Sequence, residues 1–310
     1  MSNAPEINQI HLMDARDGMQ AMQEGCADVI IADPPYNIGK DFGTSQDSMP
    51  LGDYLEWSRA WIGDAMRTLS PRGTLYVYGF SEILARVLVA ANPANCRWLV
   101  WHYTNKNAAS AKSWQRSHES ILAISHTERP IFNTDLVREP YTETFLKNAA
   151  GRTRAGTAGR FSKHGRETTY NAHEGGALPR DVIRIPALAG GAGANERVAW
   201  CRDCGTLAIG KERKAHDGHD LDTHPTQKPI ALTRRLIAAA KPTGSEEQPL
   251  VLVPFSGTGA ESVAAILEGC QFVGFDLNPE YVLAGNTWTA DARKKTGHEQ
   301  HRQSHHQETP

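Results

Sequence analysis

The sequence predicts an α/β protein with a largely parallel sheet, and three observations support this prediction. Apolar runs alternate with segments of helical spacing along residues 8–125 and again along 224–285. The run ADVIIADPPY at 27–36 is largely apolar and is stopped by two prolines, which is typical of a strand that a parallel sheet buries on both faces. The segment PLVLVPFSGTGAESVAAILEG at 249–269 combines a buried strand, a glycine turn and a helix.

The elements of the first half follow in chain order. A strand at 8–14 precedes a polar segment in which Met19 and Met22 have helical spacing. After the strand at 27–36, residues 37–52 are rich in Gly, Ser and Thr, which predicts a loop. The remaining elements are a helix at 53–69, a strand at 73–80, a helix at 81–91, and strands at 96–103 and 120–125.

The alternation stops between about 127 and 222 and then resumes. A helix is expected within 224–241, followed by the segment 249–269 and a strand at 271–278. Another helix begins at Asn278-Pro279, since Asn is a good N-cap and Pro suits the first helical position. From about 290 the chain lacks large apolar residues, which predicts a disordered tail.

Composition excludes several classes of protein. The 310 residues are 40% hydrophobic and 22% charged, which argues against global disorder, collagen and coiled coils. No apolar run is long enough to span a membrane, and the N-terminus does not resemble a secretory signal. The net charge of -2 excludes a globally basic nucleic-acid coat, although not a local basic cleft. The five cysteines, an odd number and mostly scattered, indicate reduced thiols and a cytoplasmic location.

The glycine turn FSGTG at 255–259 has the features of a nucleoside site. Gly257 and Gly259 allow a tight turn, and the following helix N-terminus can receive a negative group. Asp276 ends the next strand 19 residues after Gly257, a distance suited to ribose hydroxyls. Since FSGTG is not GxGxxG, a single nucleoside is favoured over a dinucleotide; the alternative is a simple tight connection between strand and helix.

The tetrapeptide Asp33-Pro34-Pro35-Tyr36 ends a different strand. Ligands bind outside the carboxyl ends of strands in doubly wound sheets. An acceptor, rigid carbonyls and a flat ring suit a planar base with an exocyclic amine. Taken alone, the tetrapeptide favours a simpler interpretation, in which Asp33 caps a turn and Tyr36 packs in the core.

Two further clusters stand out. Residues 147–184 contain eight basic and three acidic residues, which favours DNA contact over a solvated loop. Cys201, Cys204, His216 and His219 form a C-x2-C-x11-H-x2-H pattern that is a candidate structural zinc site. The alternative is a pair of reduced thiols in a turn, and the tail histidines are expected to be solvated.

Three stretches together resemble the S-adenosylmethionine-dependent amino-methyltransferases of DNA: ADPPYNIGKDFG, HPTQKPIALTRRLI and VPFSGTGAESVAAILEGCQFVGFDLNPEYV. Their order, with DPPY first and FxGxG last, resembles the beta class. The resemblance implies a Rossmann-like methyltransferase fold that is circularly permuted, with a mixed seven-stranded sheet and helices on both faces. It divides the chain into a catalytic half (1–126), a target-recognition insert (127–222), a cofactor half (223–289) and the tail (290–310).

The resemblance also implies the site residues. The catalytic motif is Asp33, Pro34, Pro35 and Tyr36. The residues expected to bind S-adenosylmethionine are Asp14, His224, Thr226, Gln227, Lys228, Phe255, Ser256, Gly257, Thr258, Gly259, Asp276 and Asn278. Those expected to contact DNA are Lys40, Arg152, Arg154, Arg160, Lys163 and Arg166. The pair His118-Glu119 is given a structural role. Val253 stands where many relatives carry Asp, and Glu261 is a candidate replacement for that charge.

The expected function is methylation of adenine N6 in double-stranded DNA, with the base flipped out of the helix. The tetrapeptide favours adenine, because relatives that methylate cytosine N4 more often carry SPPY. Cytosine-N4 methylation, an RNA substrate and a non-catalytic DNA-binding protein of the same fold remain alternatives. A homodimer and a cognate restriction endonuclease are possible partners, and no membrane association is expected. The resemblance also implies a bacterial or phage-encoded protein.

Overall fold

The computed structural model describes residues 4–39, 47–105, 112–154, 167–189 and 195–307, with the backbone alone at 154, 168 and 298–307. Four of the residues predicted to contact DNA lie outside the described residues: Lys40, Arg160, Lys163 and Arg166.

The first half of the chain alternates strands and helices as predicted. In order, the elements are β1 (Gln9–Leu12), α1 (Ala15–Ala21), β2 (Ala27–Ala32), α2 (Leu51–Thr68), β3 (Leu69–Gly79), α3 (Ser81–Ala91), β4 (Asn95–His102) and β5 (His118–Ser125). β2 ends before Asp33, because the prolines that follow have no amide to donate to a neighbouring strand.

The second half begins with short elements and returns to the alternation. It comprises a 3-10 helix (Thr134–Val137), α4 (Glu143–Asn148), β6 (Thr153–Arg154), β7 (Thr168–Thr169), β8 (Val182–Arg184), β9 (Val198–Cys201), β10 (Thr206–Ile209), a 3-10 helix (Gly210–His216), β11 (Leu221–Thr223), α5 (Ile230–Ala240), β12 (Leu250–Val253), α6 (Ala260–Leu267), β13 (Gln271–Asp276) and α7 (Pro279–Gln307).

The tail is helical where disorder was predicted. α7 continues through residue 290 to Gln307, so the expectation of a disordered tail from 290 is wrong for the described backbone. Trp288 and Ala292 are buried in the core and anchor the first half of this helix. From Ala292 to Lys295 the helix runs through residues of high helix propensity, but propensity does not explain its continuation through Gly297 and the histidines that follow.

One sheet of eight strands forms the centre of the larger unit. Its order is β1-β13-β12-β2-β3-β5-β4-β8. The strands from β1 to β3 in this order are parallel, whereas β5 is antiparallel to both β3 and β4. The mixed sheet is confirmed, but it contains eight strands instead of the predicted seven. The additional strand, β8, pairs with the free edge of β4 and comes from the region predicted to be irregular.

Helices cover both faces of this sheet, as predicted. Val29 and Ile31 of β2 point into one core, which α5, α6 and α7 complete. The alternate residues Ile30 and Ala32 point into a second core, completed by α1, α2 and α3. Because successive side chains of a strand face opposite sides, a continuous apolar run is what a sheet covered on both faces requires.

The chain divides into two compact units at different positions from those expected. One unit contains Met1–Phe132 together with Asp181–Pro310, and the other contains Asn133–Arg180. The predicted insert, 127–222, is therefore longer than the separate unit, because β8 joins the large sheet. Within the smaller unit, the Arg180 guanidinium pairs with Glu139 at 2.7 Å and Arg138 donates to the carbonyl of Gly176 at 2.9 Å.

No helix in the described parts of the chain is both long and apolar enough to cross a membrane. All five cysteines lie among the described residues, and each is a free thiol.

Candidate active site

Four parallel strands carry predicted site residues to one edge of the sheet. β1, β13, β12 and β2 are neighbours in that order. Asp14 lies just beyond β1, Asp276 ends β13, Phe255 follows β12, and Asp33 follows β2. Because the carboxyl ends of parallel strands meet at the same edge, motifs from opposite ends of the chain lie side by side.

A cavity of about 280 Å³ opens at this edge. All four residues of the catalytic tetrapeptide line it. The predicted cofactor residues in its wall are Asp14, His224, Thr226, Gln227, Phe255, Ser256, Gly257, Thr258 and Asp276. The structure thus places both motifs around one space, as a site that joins a cofactor to a substrate base requires.

The cofactor loop has a backbone shape that favours glycine. Gly257 has φ of +47° and Gly259 has φ of +88°. A Cβ atom at Gly257 would lie 3.0 Å from Nε2 of His224, so glycine keeps the cavity wall open. The Asp276 carboxylate accepts hydrogen bonds from the amides of Gly257 at 2.7 Å and Asn278 at 2.9 Å. An oriented carboxylate with acceptor capacity left over fits the paired hydroxyls of a nucleoside.

Three predicted cofactor residues are not in the cavity wall. Gly259 is the N-cap of α6, and the Lys228 ammonium donates to Asp33. Asn278 caps α7, since its side-chain oxygen accepts from the amide of Glu280 at 2.9 Å, as the sequence predicts. Asp14 lines the cavity but also caps α1, accepting from the Arg16 amide at 2.8 Å. Gly259, Lys228 and Asn278 therefore contact the protein around the cavity and do not form its wall.

A buried ion pair holds the tetrapeptide that was predicted to be catalytic. Lys228 Nζ lies 2.7 Å from Asp33 Oδ2, and the two side chains are 2% and 9% exposed. The Tyr36 hydroxyl donates to Asp33 Oδ1 at 2.8 Å. It also lies 3.3 Å from Glu119 Oε2, while Lys228 lies 3.7 Å from that oxygen. Both oxygens of Asp33 are thus oriented before a substrate arrives, and Glu119 supports the residues that orient them.

Burial sets the charge of the groups around this pair. Burial alone would lower the pKa of Lys228, but the carboxylates of Asp33 and Glu119 outweigh it and raise that pKa above its ordinary value. Burial, followed by the charge of Lys228, lowers the pKa of His224 to about 3. Burial, reinforced by Asp33, raises the pKa of Glu261 to about 8. At neutral pH, Lys228 is charged, whereas His224 and most of Glu261 are neutral. The role of Glu261 as a replacement for the carboxylate that many relatives carry at position 253 stays a prediction.

α2 forms an aromatic wall of the cavity that was not predicted from the sequence. Tyr54 and Trp57 line the cavity, and the Trp57 ring lies 5.7 Å from the ring of Phe255. The Tyr54 hydroxyl donates to the Pro35 carbonyl at 2.8 Å, which fixes the tetrapeptide from the other side. Asp47, only 5% exposed, accepts from the amide of Ile38 at 3.0 Å. The i, i+3 spacing of the two α2 aromatics was the available signal, because it places them on one face of that helix.

The predicted DNA-contacting residues are only partly described. Arg152 is exposed, and Arg154 belongs to β6. Other basic residues of this region have acidic partners, such as Lys147 with Glu143 at 3.1 Å. The smaller unit still has an excess of positive charge, with eight basic and five acidic residues in its sequence.

The four candidate metal ligands come together away from the cavity wall. Cys201, Cys204, His216 and His219 each offer one ligand atom, and these atoms lie within 4.8 Å of one another. The H-x2-H spacing is shorter than in common zinc motifs. It nevertheless brings a ligand atom of each histidine close to the two cysteine sulfurs.

Comparison with known proteins supports a methyltransferase identity. A family model described as DNA methylase matches residues 27–287. The type II methyltransferase M.HpaI of Haemophilus parainfluenzae is 28% identical over 274 residues, covering 87% of this chain and 70% of that protein. The DNA adenine methyltransferase YhdJ of Escherichia coli K12 is 26% identical over 280 residues, covering 88% of this chain and 79% of that protein.

Solved structures share the fold. The PvuII DNA methyltransferase, named as cytosine-N4-specific, aligns with a TM-score of 0.60 and 15% identity over 95% of each chain. TTHA0409 of Thermus thermophilus, in complex with S-adenosyl-L-methionine, aligns with a TM-score of 0.51 and 17% identity over 92% of this chain and 94% of that one. With the family match over most of its length and the two motifs around one cavity, the chain belongs to the DNA methylase family, the S-adenosylmethionine-dependent amino-methyltransferases that act on adenine N6 or cytosine N4.

Proposed function

We propose that this chain methylates the N6 amino group of an adenine flipped out of double-stranded DNA. The observation that carries the proposal is the buried carboxylate of Asp33, which begins the tetrapeptide and lies in the cavity that the cofactor loop also lines. An acidic residue at this position is typical of the adenine-specific members, and one relative is named as an adenine methyltransferase.

Asp33 would act as a hydrogen-bond acceptor for the amine. An adenine amino group is a poor nucleophile, because its lone pair is delocalised into the ring. Acceptance of one N–H by Asp33 and the other by the Pro34 carbonyl would localise that lone pair on nitrogen. An ionised carboxylate offers about four acceptor positions, of which Lys228 and Tyr36 use two. The carboxylate is therefore held in place and still has capacity for the amine.

The surrounding side chains would position the base. Tyr36 lines the cavity and would offer its ring to the base, while its hydroxyl stays bonded to Asp33. Lys228 and Glu119 would act as positioning residues, since they contact the side chains that face the substrate. Alignment of the reacting atoms supplies most of the acceleration in a transfer of this kind.

The cofactor would occupy the part of the cavity lined by the FSGTG loop. Its sulfonium-bound methyl group supplies the electrophile and a good leaving group. Asp276 would bind the ribose hydroxyls, and Phe255, held by Trp57, would pack against the cofactor. His224 and Thr226 would line the methionine end, and the neutral imidazole of His224 avoids repulsion of the sulfonium.

DNA would be held by the basic residues of the predicted insert. The base must leave the stack, at a cost of a few kcal/mol, because its amine is inaccessible inside a duplex. Lysine and arginine contacts with phosphates would position the duplex, and some arginines would read base edges. Arg152 is one of these residues, and its side chain is exposed to solvent.

Identification of the methylated base tests the proposal. The protein is expressed in a host that lacks DNA methylation, and the nucleosides of the host DNA are separated and quantified. N6-methyldeoxyadenosine is expected from the wild type. The Asp33→Asn variant, which keeps the size of the side chain, should produce essentially none while it still binds S-adenosylmethionine. Exclusive formation of N4-methyldeoxycytidine would instead support the cytosine alternative. DNA binding without methyl transfer by the wild type would support a non-catalytic protein.

A further inference from the structure

A small three-stranded sheet lies next to the segment that leads into the cavity. Its strand order is β10-β9-β11, and both pairs are antiparallel. Cys201 is the last residue of β9, and Cys204 lies in the turn that connects β9 to β10. His216 ends a 3-10 helix, and His219 lies just before β11. Two short loops thus bring two thiols and two imidazoles to the same end of the sheet.

The distances in this cluster match those of a tetrahedral metal site. Nδ1 of His219 lies 3.4 Å from the Cys201 sulfur and 3.2 Å from the Cys204 sulfur. One ligand atom from each of the four residues lies within 4.8 Å of the other three. In a tetrahedral zinc site, bond lengths of about 2.3 Å to sulfur and 2.0 Å to nitrogen separate the ligand atoms by about 3.3–3.8 Å. The four side chains need only a small adjustment to surround one ion.

An unsatisfied imidazole gives a second, independent observation. Nδ1 of His216 is buried and has no hydrogen-bond partner among the described residues. A buried polar atom without a partner destabilises the folded state. Coordination of the His216 ring to a metal is an ordinary way to avoid such a cost. Hydrogen bonding between the thiols and His219 alone would leave His216 unexplained.

We propose that Cys201, Cys204, His216 and His219 bind one structural zinc ion. Two thiolates and two imidazoles in a tetrahedral arrangement favour zinc among the metals that proteins commonly use. Four protein ligands leave no open position for water or substrate, which is typical of a structural site. The ion is separate from the methyl-transfer chemistry, so the proposal does not depend on which base is methylated.

The zinc ion would stabilise one wall of the cavity through the small sheet. Gln227 links the two, because its side-chain oxygen accepts from the Val198 amide of β9 at 3.0 Å and its side-chain nitrogen donates to the Glu196 carbonyl at 2.7 Å. His224 follows β11 directly and lines the cavity. Lys228 lies further along the same segment and donates a hydrogen bond to Asp33. The metal would join the loops at the end of this sheet and thereby restrict the segment that carries these residues.

Metal analysis of the purified full-length protein, after dialysis against a weak chelator, tests the proposal. One zinc per chain is expected in the wild type. Cys204→Ser should lose at least nine-tenths of it, because the serine hydroxyl is a poor zinc ligand. Cys96→Ser, which replaces an exposed cysteine on β4, is the matched control and should keep the full amount. Alanine at His298, His301, His305 and His306 tests for adventitious binding by the tail and should also leave the zinc content unchanged.

Substitution of the wild type with Co²⁺ gives a measurement that does not depend on whether Cys204→Ser folds. Tetrahedral coordination by two thiolates should produce strong d–d bands and a sulfur-to-cobalt charge-transfer band in the absorption spectrum. A folded wild type that takes up neither zinc nor cobalt would overturn the proposal. Zinc that persists in Cys204→Ser, zinc lost with the tail histidines, or stoichiometric iron in place of zinc would each overturn it as well.

Discussion

The buried carboxyl of Glu261 should make stability depend on pH, and Glu261→Gln should remove that dependence. Glu261 lies at the start of α6, is 4% exposed and lines the cavity. Its pKa is about 8 in the folded protein, mainly because burial disfavours the charged form. An unfolded chain releases the same proton near pH 4.5, the ordinary value for the group. The folded state therefore binds this proton more tightly than the unfolded state does.

The sign and size of the effect follow from proton linkage. The contribution of Glu261 to stability is complete below about pH 4.5 and is lost as the pH rises towards about 8. Between pH 5 and pH 7, the loss in the wild type amounts to about 2–3 kcal/mol of unfolding free energy, at about 1.4 kcal/mol per pH unit. Glutamine mimics the protonated acid and does not titrate, so the variant should gain stability relative to the wild type by this amount over the same range.

Denaturant unfolding at a series of pH values measures this difference. Subtracting the unfolding free energy of the wild type from that of the variant at each pH cancels the contribution of His224. That contribution has the opposite sign, since the lowered pKa of His224 makes stability rise between about pH 3 and pH 6.5. Ser262→Ala changes the neighbouring buried residue without changing a titratable group, so its offset from the wild type should be constant across the pH range. Parallel profiles for the wild type and Glu261→Gln between pH 5 and pH 8 would refute the assigned protonation state.

Three further predictions concern the cofactor, the ion pair and DNA. Asp276→Ala should weaken S-adenosylmethionine binding by about 1.5–3 kcal/mol, the range for hydrogen bonds to a charged group, and unchanged affinity in calorimetry would remove Asp276 from the site. Lys228→Met should cost about 3–5 kcal/mol of stability, because it leaves Asp33 buried without its cation. Addition of Asp33→Asn to this variant should recover part of the loss. Purely additive effects of the two substitutions in denaturant unfolding would argue against the ion pair. Neutralisation of Arg152, Arg154 and Arg160 in the predicted insert should weaken DNA binding and leave cofactor affinity unchanged. The salt dependence of DNA binding should fall by about 0.9 log units of slope per lost phosphate contact. A variant with wild-type DNA binding would place recognition elsewhere.

Much of the large sheet could be predicted because its signals are local. The residues before Asp33 are apolar apart from Asp28 and rich in β-branched side chains, which favours a strand covered on both faces. The turn at Gly257 and Gly259 needs positive φ angles, which makes glycine a reliable marker of its shape. Asn278 before Pro279 marks a helix start for an equally local reason.

The predictions for residues 182–184 and for the tail were wrong because tertiary packing, and not the composition of the segment itself, decided the secondary structure there. β8 has only three residues, and it forms because β4 offers a free edge. The helix beyond residue 290 extends because Trp288 and Ala292 anchor its beginning in the core. Neither the free edge nor the anchor can be recognised from the residues of the segment itself.

The sequence by itself determined the order of the elements outside residues 127–222, the two motifs and the four cysteine and histidine candidates, since each of these depends on short segments of the chain. Only the tertiary structure decided what the motifs contact. Lys228 is 195 residues from Asp33 in the chain, yet the two side chains form the ion pair that orients the tetrapeptide. Glu119 and Trp57 likewise reach the site through the packing of β5 and α2. The charges of Glu261 and His224 depend on burial, which arises only when distant segments exclude water from the same space.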